Sequence, residues 1–189
     1  TNLQAGKKLT DRFHELKGQQ IVTVVYNFVD MLSHARSEME VIKELADDEA
    51  AYRSLTHSWF LHSPLKEMMD AMAEMGGRMI LTTDHGTVRV DHPVEVRGDR
   101  ETNNNLRYKV GKNLGYDANE VMELRDPDKA GLPKPNVSSS YIFGKGKDFL
   151  VYPNNAAKYT KTFRDTFQHG GLSMEEMIVP WVILDPKTS

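Results

Sequence analysis

The chain has no cysteine among its 189 residues, which excludes disulfides, thiolate zinc sites and cysteine nucleophiles. Any metal must be held by His, Asp and Glu. The same absence fits a reducing compartment, and a cytoplasmic location is the expectation. Long apolar runs are missing too: nothing approaches the roughly 20 residues that span a bilayer, and Thr1–Asp11 lacks the apolar centre of a signal peptide. Membrane insertion is not expected. Nor is there an excess of positive charge. With a formal net charge of -3 and 27% charged residues, the chain offers no basic surface for a polyanion. Internal repeats and low-complexity segments are absent, and the length suits one domain with a substantial core.

What is present is organised around Arg78–Gly86, Arg-Met-Ile-Leu-Thr-Thr-Asp-His-Gly. It reads as a buried strand that empties into two metal-type ligands, Asp84 and His85, and a glycine. In open α/β sheets ligands collect beyond the carboxyl ends of such strands. Upstream, Thr10–Lys17 reads as a helix capped by Thr10 and stopped by Gly18. Gln20–Phe28 is β-branched and apolar enough for a central parallel strand ending at Asp30, with His34 four residues on. Ser37–Ser58 carries one or two helices, bent near Asp47-Asp48. Ser63-Pro64 starts another, in which Leu65, Met68, Met69, Met72 and Met75 form a core-packing face. Gly76-Gly77 ends it, so the order is βαβ with a right-handed crossover.

After Gly86, short strands at Thr87–Val90 and Val94–Val96 predict a β-excursion over the rim of the sheet. Asn119–Arg125 reads as a short helix and Arg125–Ser139 as loop. Ser139–Phe143 and Phe149–Tyr152 read as a hairpin around Gly144-Lys-Gly146, which is too short for a phosphate loop. Asn154–Phe163 is helical, Phe167–Gly171 is a tight turn, Ser173-x-x-Glu176 is a capping box, and Ile178–Leu184 is a closing strand. The expected class is α/β, a mostly parallel sheet flanked by helices.

Candidate ligands therefore end several elements. Asp30 and His34 lie one helical turn apart and can face one ion. With His169 they make the three-ligand set that an open zinc site uses. Asp84 and His85 begin a second site, and two ions about 4 Å apart can clamp the attacking and leaving oxygens of a phosphoryl transfer. His57 and His62 read as structural, and His14 and His92 as exposed. Any of Arg89, Arg97, Arg100 and Arg107 could bind a phosphate oxygen. Glu175 and Glu176 read as helix-start carboxylates.

Tyr-Asn-Phe-Val-Asp30-x-x-x-His34, Thr-Thr-Asp84-His85-Gly and Gln-His169-Gly-Gly-x-Ser-x-Glu-Glu-Met-Ile-Val-Pro180 resemble, in order and context, the metal-binding motifs of the alkaline phosphatase superfamily. They are most similar to its PglZ branch, in the form carried by PorX-like response regulators of Bacteroidota. The resemblance runs from Ile21 to Leu184. It implies an alkaline-phosphatase-like fold in which Asp30, His34 and His169 hold one zinc and Asp84 and His85 the other. It also implies zinc-dependent hydrolysis of phosphoesters, phosphodiesters in this branch, within a two-component output domain in the setting of type 9 secretion. The implied partners are a phosphoester or nucleotide-type substrate and regulatory proteins. Alternatives are a regulatory module that keeps a zinc site without turnover, and a phosphoglycerate mutase-like enzyme.

In one respect the chain departs from the family pattern. The nucleophile and an earlier strand ending in a metal-binding Asp are expected upstream of Asp30, but only 29 residues precede it and they contain neither. The expectation is thus a C-terminal portion of the domain, inactive alone, holding one zinc better than the other and able to dimerise.

Overall fold

Ser63-Pro64 does what its residue types require: Ser63 Oγ accepts the Lys66 amide at 3.4 Å, and helix α5 runs from Pro64 to Glu74. The computed structural model describes residues 3–46 and 48–186, with the side chains of residues 3, 34, 36–38, 40 and 43 outside that description. The chain divides into two compact units, Thr1–Thr82 with Pro180–Ser189, and Thr83–Val179. Each has its own logic.

The first unit is mainly helical. Helix α1 spans Leu3–Asp11, and a 3₁₀ turn follows at Phe13–Leu16. Thr10 therefore sits in the last turn of a helix rather than capping one, and its hydroxyl donates back to the Gly6 carbonyl at 3.1 Å. Helices α2 (Phe28–Glu38), α3 (Glu40–Leu45) and α4 (Glu49–Leu61) come next. The expected break falls beside Asp48, whose side chain caps α4 by accepting the Ala51 amide at 2.7 Å; Asp47 lies outside the described residues. Met68 is buried. Met69 and Met72 line a cavity of about 250 Å³ with Phe60, Met79 and Leu184, so the expected core-packing face is only partly buried, with Leu65, Met69, Met72 and Met75 intermediate.

The strand expected at Gln20–Phe28 does not form. Residues 21–27 carry no regular structure, and Ile21 and Val25 are 85% and 75% exposed. β-Branched composition records fitness for a packed, paired surface, and supplies neither the partner nor the cover. Strand β1 (Met79–Thr82) consequently has no parallel partner there. It pairs antiparallel with the strand Trp181–Leu184, Met79 opposite Leu184 and Thr82 opposite Trp181. Three of its four residues are exposed, contrary to the expected burial on both faces.

The second unit, expected to be an excursion, holds the best-packed core. Strands β2 (Val88–Val90), β3 (His92–Glu95), β4 (Tyr108–Gly111), β5 (Val121–Leu124), β6 (Ser140–Gly144), β7 (Asp148–Val151) and β8 (Thr166–Gln168) are joined by helix α6 (Ala156–Phe163). Strand β9 is the Trp181–Leu184 strand of the first unit. Val88, Val90, Leu106, Phe149 and Val151 form one cluster, against which α6 packs Tyr159 and Phe163. Val94, Val96, Val121, Ile142 and Leu150 form another. Each such side chain contributes roughly 1.5–3 kcal/mol on full burial.

The expected α/β class is found, as helices with small sheets. Its pairing differs in detail: β3–β7 is parallel, while β2–β8, β4–β6, β5–β6 and β1–β9 are antiparallel. Val121–Leu124 is a strand where a helix was expected, because pairing with Tyr141–Gly144 buries Val121. The expected hairpin at 139–152 is two strands in different sheets.

Lys109, on β4, is 1% exposed. Its ammonium donates to the Asn103 carbonyl at 3.3 Å and stands 4.4 Å above the Tyr152 ring. Burial lowers its pKa to about 8. Between that value and the ordinary lysine value of about 10.4, the unfolded chain holds a proton that the folded chain has released, so stability rises with pH. Lys109→Met should be the more stable protein near neutrality, and its advantage should shrink as pH climbs from about 8 toward 10.4. Urea denaturation across that range checks it, and a pH-independent difference would contradict the assignment.

Candidate metal centre

Two loops of the second unit meet because β2 and β8 are antiparallel neighbours. Val88 opposes Gln168, so the segment before β2 and the segment after β8 leave the ladder at the same end. His85 lies on the first and His169 on the second. Their imidazoles stack with centroids 3.8 Å apart and planes 11° from parallel. One ring nitrogen of each lies within 4.8 Å of the other. His85 Nδ1 is 3.0 Å from the Gly86 carbonyl; if Nδ1 carries the proton, Nε2 keeps its lone pair for an ion. Two imidazoles side by side supply the nitrogen donors that Zn²⁺ favours when thiolates are absent.

Asp84 is at the mouth of the first loop, its side chain 87% exposed. Its Oδ1 accepts the His85 amide at 3.1 Å and the Thr83 hydroxyl at 3.3 Å, and lies 3.8 Å from His85 Nε2. A hydrogen bond from its own amide, helped by His85 and Thr83, holds this carboxyl below the usual range. It is thus ionised at neutral pH and available as an oxygen donor.

Beneath the loops lies a buried ion pair. Arg107 and Glu176 side chains are 0% and 1% exposed. Arg107 Nε donates to Glu176 Oε1 and Nη2 to Oε2, each at 2.9 Å. Burial pushes the Glu176 carboxyl up, but Arg107 together with the Gly171 and Ser173 hydrogen bonds outweighs it and leaves the group below the ordinary carboxyl range. Gly171 is required here, since a Cβ would stand 2.6 Å from Glu176 Oε2 and 3.0 Å from Arg107 Nε. The capping-box helix α7 (Met174–Met177) forms as the sequence predicts.

In the first unit, Asp30 lies in the first turn of α2, not at the end of a strand. That helix start is fastened to α4: Phe28 stacks on Trp59 at 4.1 Å. The Tyr52 hydroxyl donates to the Val29 carbonyl at 2.7 Å, and it lies 2.6 Å from Ser33 Oγ. Residues 30 and 34 are one turn apart on α2; the side chain of His34 lies outside the described residues.

The remaining candidates resolve as structural or surface groups. His14 and His57 are exposed, His62 Nδ1 is 2.8 Å from the Ser58 carbonyl, and His92 pairs with Asp148 at 3.0 Å. Arg89 pairs with Asp165 at 3.4 Å. Arg107 is no phosphate ligand, being wholly enclosed. Sequence reading missed its role and that of Asn105, whose Oδ1 accepts the Arg107 amide at 2.7 Å. The one signal available was the second Glu of the Glu-Glu pair that follows the Gly-Gly turn.

Residues 3–184 match the family profile described as the BREX system PglZ alkaline phosphatase-like domain. No individual curated protein matches the chain.

Proposed function

Because the chain belongs to the PglZ alkaline phosphatase-like domain family, we propose that it is the metal-binding part of a phosphoester hydrolase, with zinc as its metal and phosphodiesters as its substrate class. The observation that carries this reading is the His85–His169 pair, two imidazoles 3.8 Å apart, with the Asp84 carboxylate 3.8 Å from His85 Nε2. His85, His169 and Asp84 would hold metal through ring nitrogens and a carboxylate oxygen. Asp30 and His34 are proposed as metal ligands on the strength of their motif alone. When bound, the metal supplies positive charge that stabilises phosphoryl oxygens.

The protein's own residues orient these donors and keep them in the right ionisation state. The Gly86 carbonyl favours a proton on His85 Nδ1, and the Thr83 hydroxyl and His85 amide keep Asp84 anionic. No hydroxyl of the motifs named here is proposed as the nucleophile. Thr10, the helix-associated hydroxyl that precedes Asp30, is engaged with Gly6 inside α1. The motif likeness to PorX-like response regulators supports an output-domain role under the control of a phosphorelay.

Zinc titration run beside hydrolysis of bis(4-nitrophenyl) phosphate tests the proposal. One zinc should bind tightly per chain and be lost in His169→Ala, without turnover by the chain itself. No zinc binding would overturn the metal-dependent reading; two tightly held zincs with turnover would overturn the expectation of one zinc without turnover.

A further inference from the structure

Glu176 stands under both histidine loops at once. Its main-chain carbonyl accepts the Gly86 N–H at 2.9 Å, next to His85. Its carboxylate accepts the Gly171 N–H at 2.8 Å and the Ser173 N–H at 3.2 Å, just beyond His169. Arg107 grips the same carboxylate with two N–H groups. Arg107 is in turn seated by the Asp148 carbonyl and by the Gly146 carbonyl, the latter at 2.9 Å. Asn105 closes the circuit, since its Oδ1 accepts the Arg107 amide at 2.7 Å and its Nδ2 donates to the His169 carbonyl at 3.5 Å.

We infer that Glu176, clamped by Arg107, is the positioning residue that sets the spacing of His85 and His169. The inference rests on the metal reading above only for its consequence in binding; the spacing itself is a property of the loops. A capping-box glutamate needs to accept only the N-cap amide, here that of Ser173. Here the glutamate is 3% exposed, also accepts the Gly171 amide, and is held by a bidentate arginine 69 residues away in sequence. Such a charge-assisted pair fixes direction as well as distance. Because one residue bonds to both loops, neither histidine can shift without the other losing its support. Glu176 touches neither imidazole, so its influence passes through Gly86 and Gly171.

The experiment compares the wild-type chain with the double variant Arg107→Met/Glu176→Met, with Arg107→Met alone and with Glu176→Gln. It reads the thermal midpoint, zinc affinity by chelator competition, and the nuclear Overhauser contact between the imidazole rings in metal-free protein. Removing both charges together leaves no stranded charge, and a buried pair exchanged for apolar side chains is often near neutral, so the remaining cost is that of the Gly146, Asp148, Gly171 and Ser173 backbone groups left without their partners. The double variant should therefore melt closer to wild type than Arg107→Met does, while the ring contact disappears and zinc affinity falls roughly 10–100-fold, the range for losing an outer support of a metal ligand. A structural role alone would leave ring contact and affinity in step with the melt.

Should the double variant not fold, Glu176→Gln decides the matter. It keeps an oxygen for the Gly171 amide but loses the charged grip, so a weakened ring contact is expected and an unchanged one overturns the inference. A double variant that folds and keeps both the ring contact and wild-type zinc affinity overturns it as well. Loss of the ring contact in a protein whose wild type binds no zinc supports the positioning role and removes the metal reading instead.

Discussion

Arg107→Met should lower the stability of the second unit by about 3–5 kcal/mol, the cost of stranding a buried charge without its partner. The guanidinium is fully enclosed, and the carboxylate it holds is nearly so. Removing it leaves Glu176 with two backbone N–H donors and no counter-charge, and leaves the carbonyls of Asp148 and Gly146 without their donor. The pH dependence should change sense. In the wild type Glu176 titrates below the ordinary carboxyl range, so its contribution is complete above the unfolded value of about 4.3 and is lost as pH falls through the folded value. In the variant, burial without Arg107 raises that carboxyl, and protonation relieves the stranded charge. The gap between the two proteins should narrow as pH is lowered through about 5. Urea denaturation near neutrality and near pH 4 measures both effects; a loss under about 1 kcal/mol, within the range of an exposed pair, would contradict the enclosed geometry.

This pair also marks how far the sequence could be read. Several signals that act within four residues were legible: Ser63 capping α5, the break near Asp47-Asp48, and Glu176 reaching back to the Ser173 amide; Thr10, read as a helix start, instead lies in the last turn of α1. Histidine loops were legible for a similar reason, because ligand-type residues beside glycine stand out against β-branched runs. Apart from Thr10, what failed depends on partners far along the chain. Gln20–Phe28 has strand composition but no ladder, and Val121–Leu124 is a strand because Tyr141–Gly144 runs beside it. Arg107 carries no local mark at all. Its acceptors are Gly146, Asp148 and Glu176, and nothing near position 107 distinguishes it from the neighbouring arginines that remain at the surface. The core shifted from its expected place for the same cause: the short strands after Gly86 looked too broken to matter, yet their cross-pairing encloses Val90, Phe149 and Leu150.

Gly86→Ala tests the junction of the loops most directly, and we expect it to cost about 2–4 kcal/mol, combining the strain of an inserted methyl with a lost buried hydrogen bond. At a position whose backbone tolerates alanine, the substitution would ordinarily stabilise by about 0.4–1 kcal/mol through the unfolded chain, so the predicted sign is reversed. The reason is contact with main chain. A Cβ on Gly86 would fall inside van der Waals distance of the Glu175 carbonyl oxygen, and at 3.1 Å from the carbon of that carbonyl. A flexible side chain could swing aside, but this obstacle is the capping-box turn, which the Arg107 clamp holds in place. The loop must yield instead, giving up the 2.9 Å bond from the Gly86 amide to the Glu176 carbonyl. His85 precedes that amide, so it should move off His169 and zinc affinity should fall with stability. Chemical denaturation and chelator competition on the purified variant check the two effects together. A Gly86→Ala protein as stable as the wild type, with zinc bound equally well, would mean that the two loops do not approach as closely as this site requires.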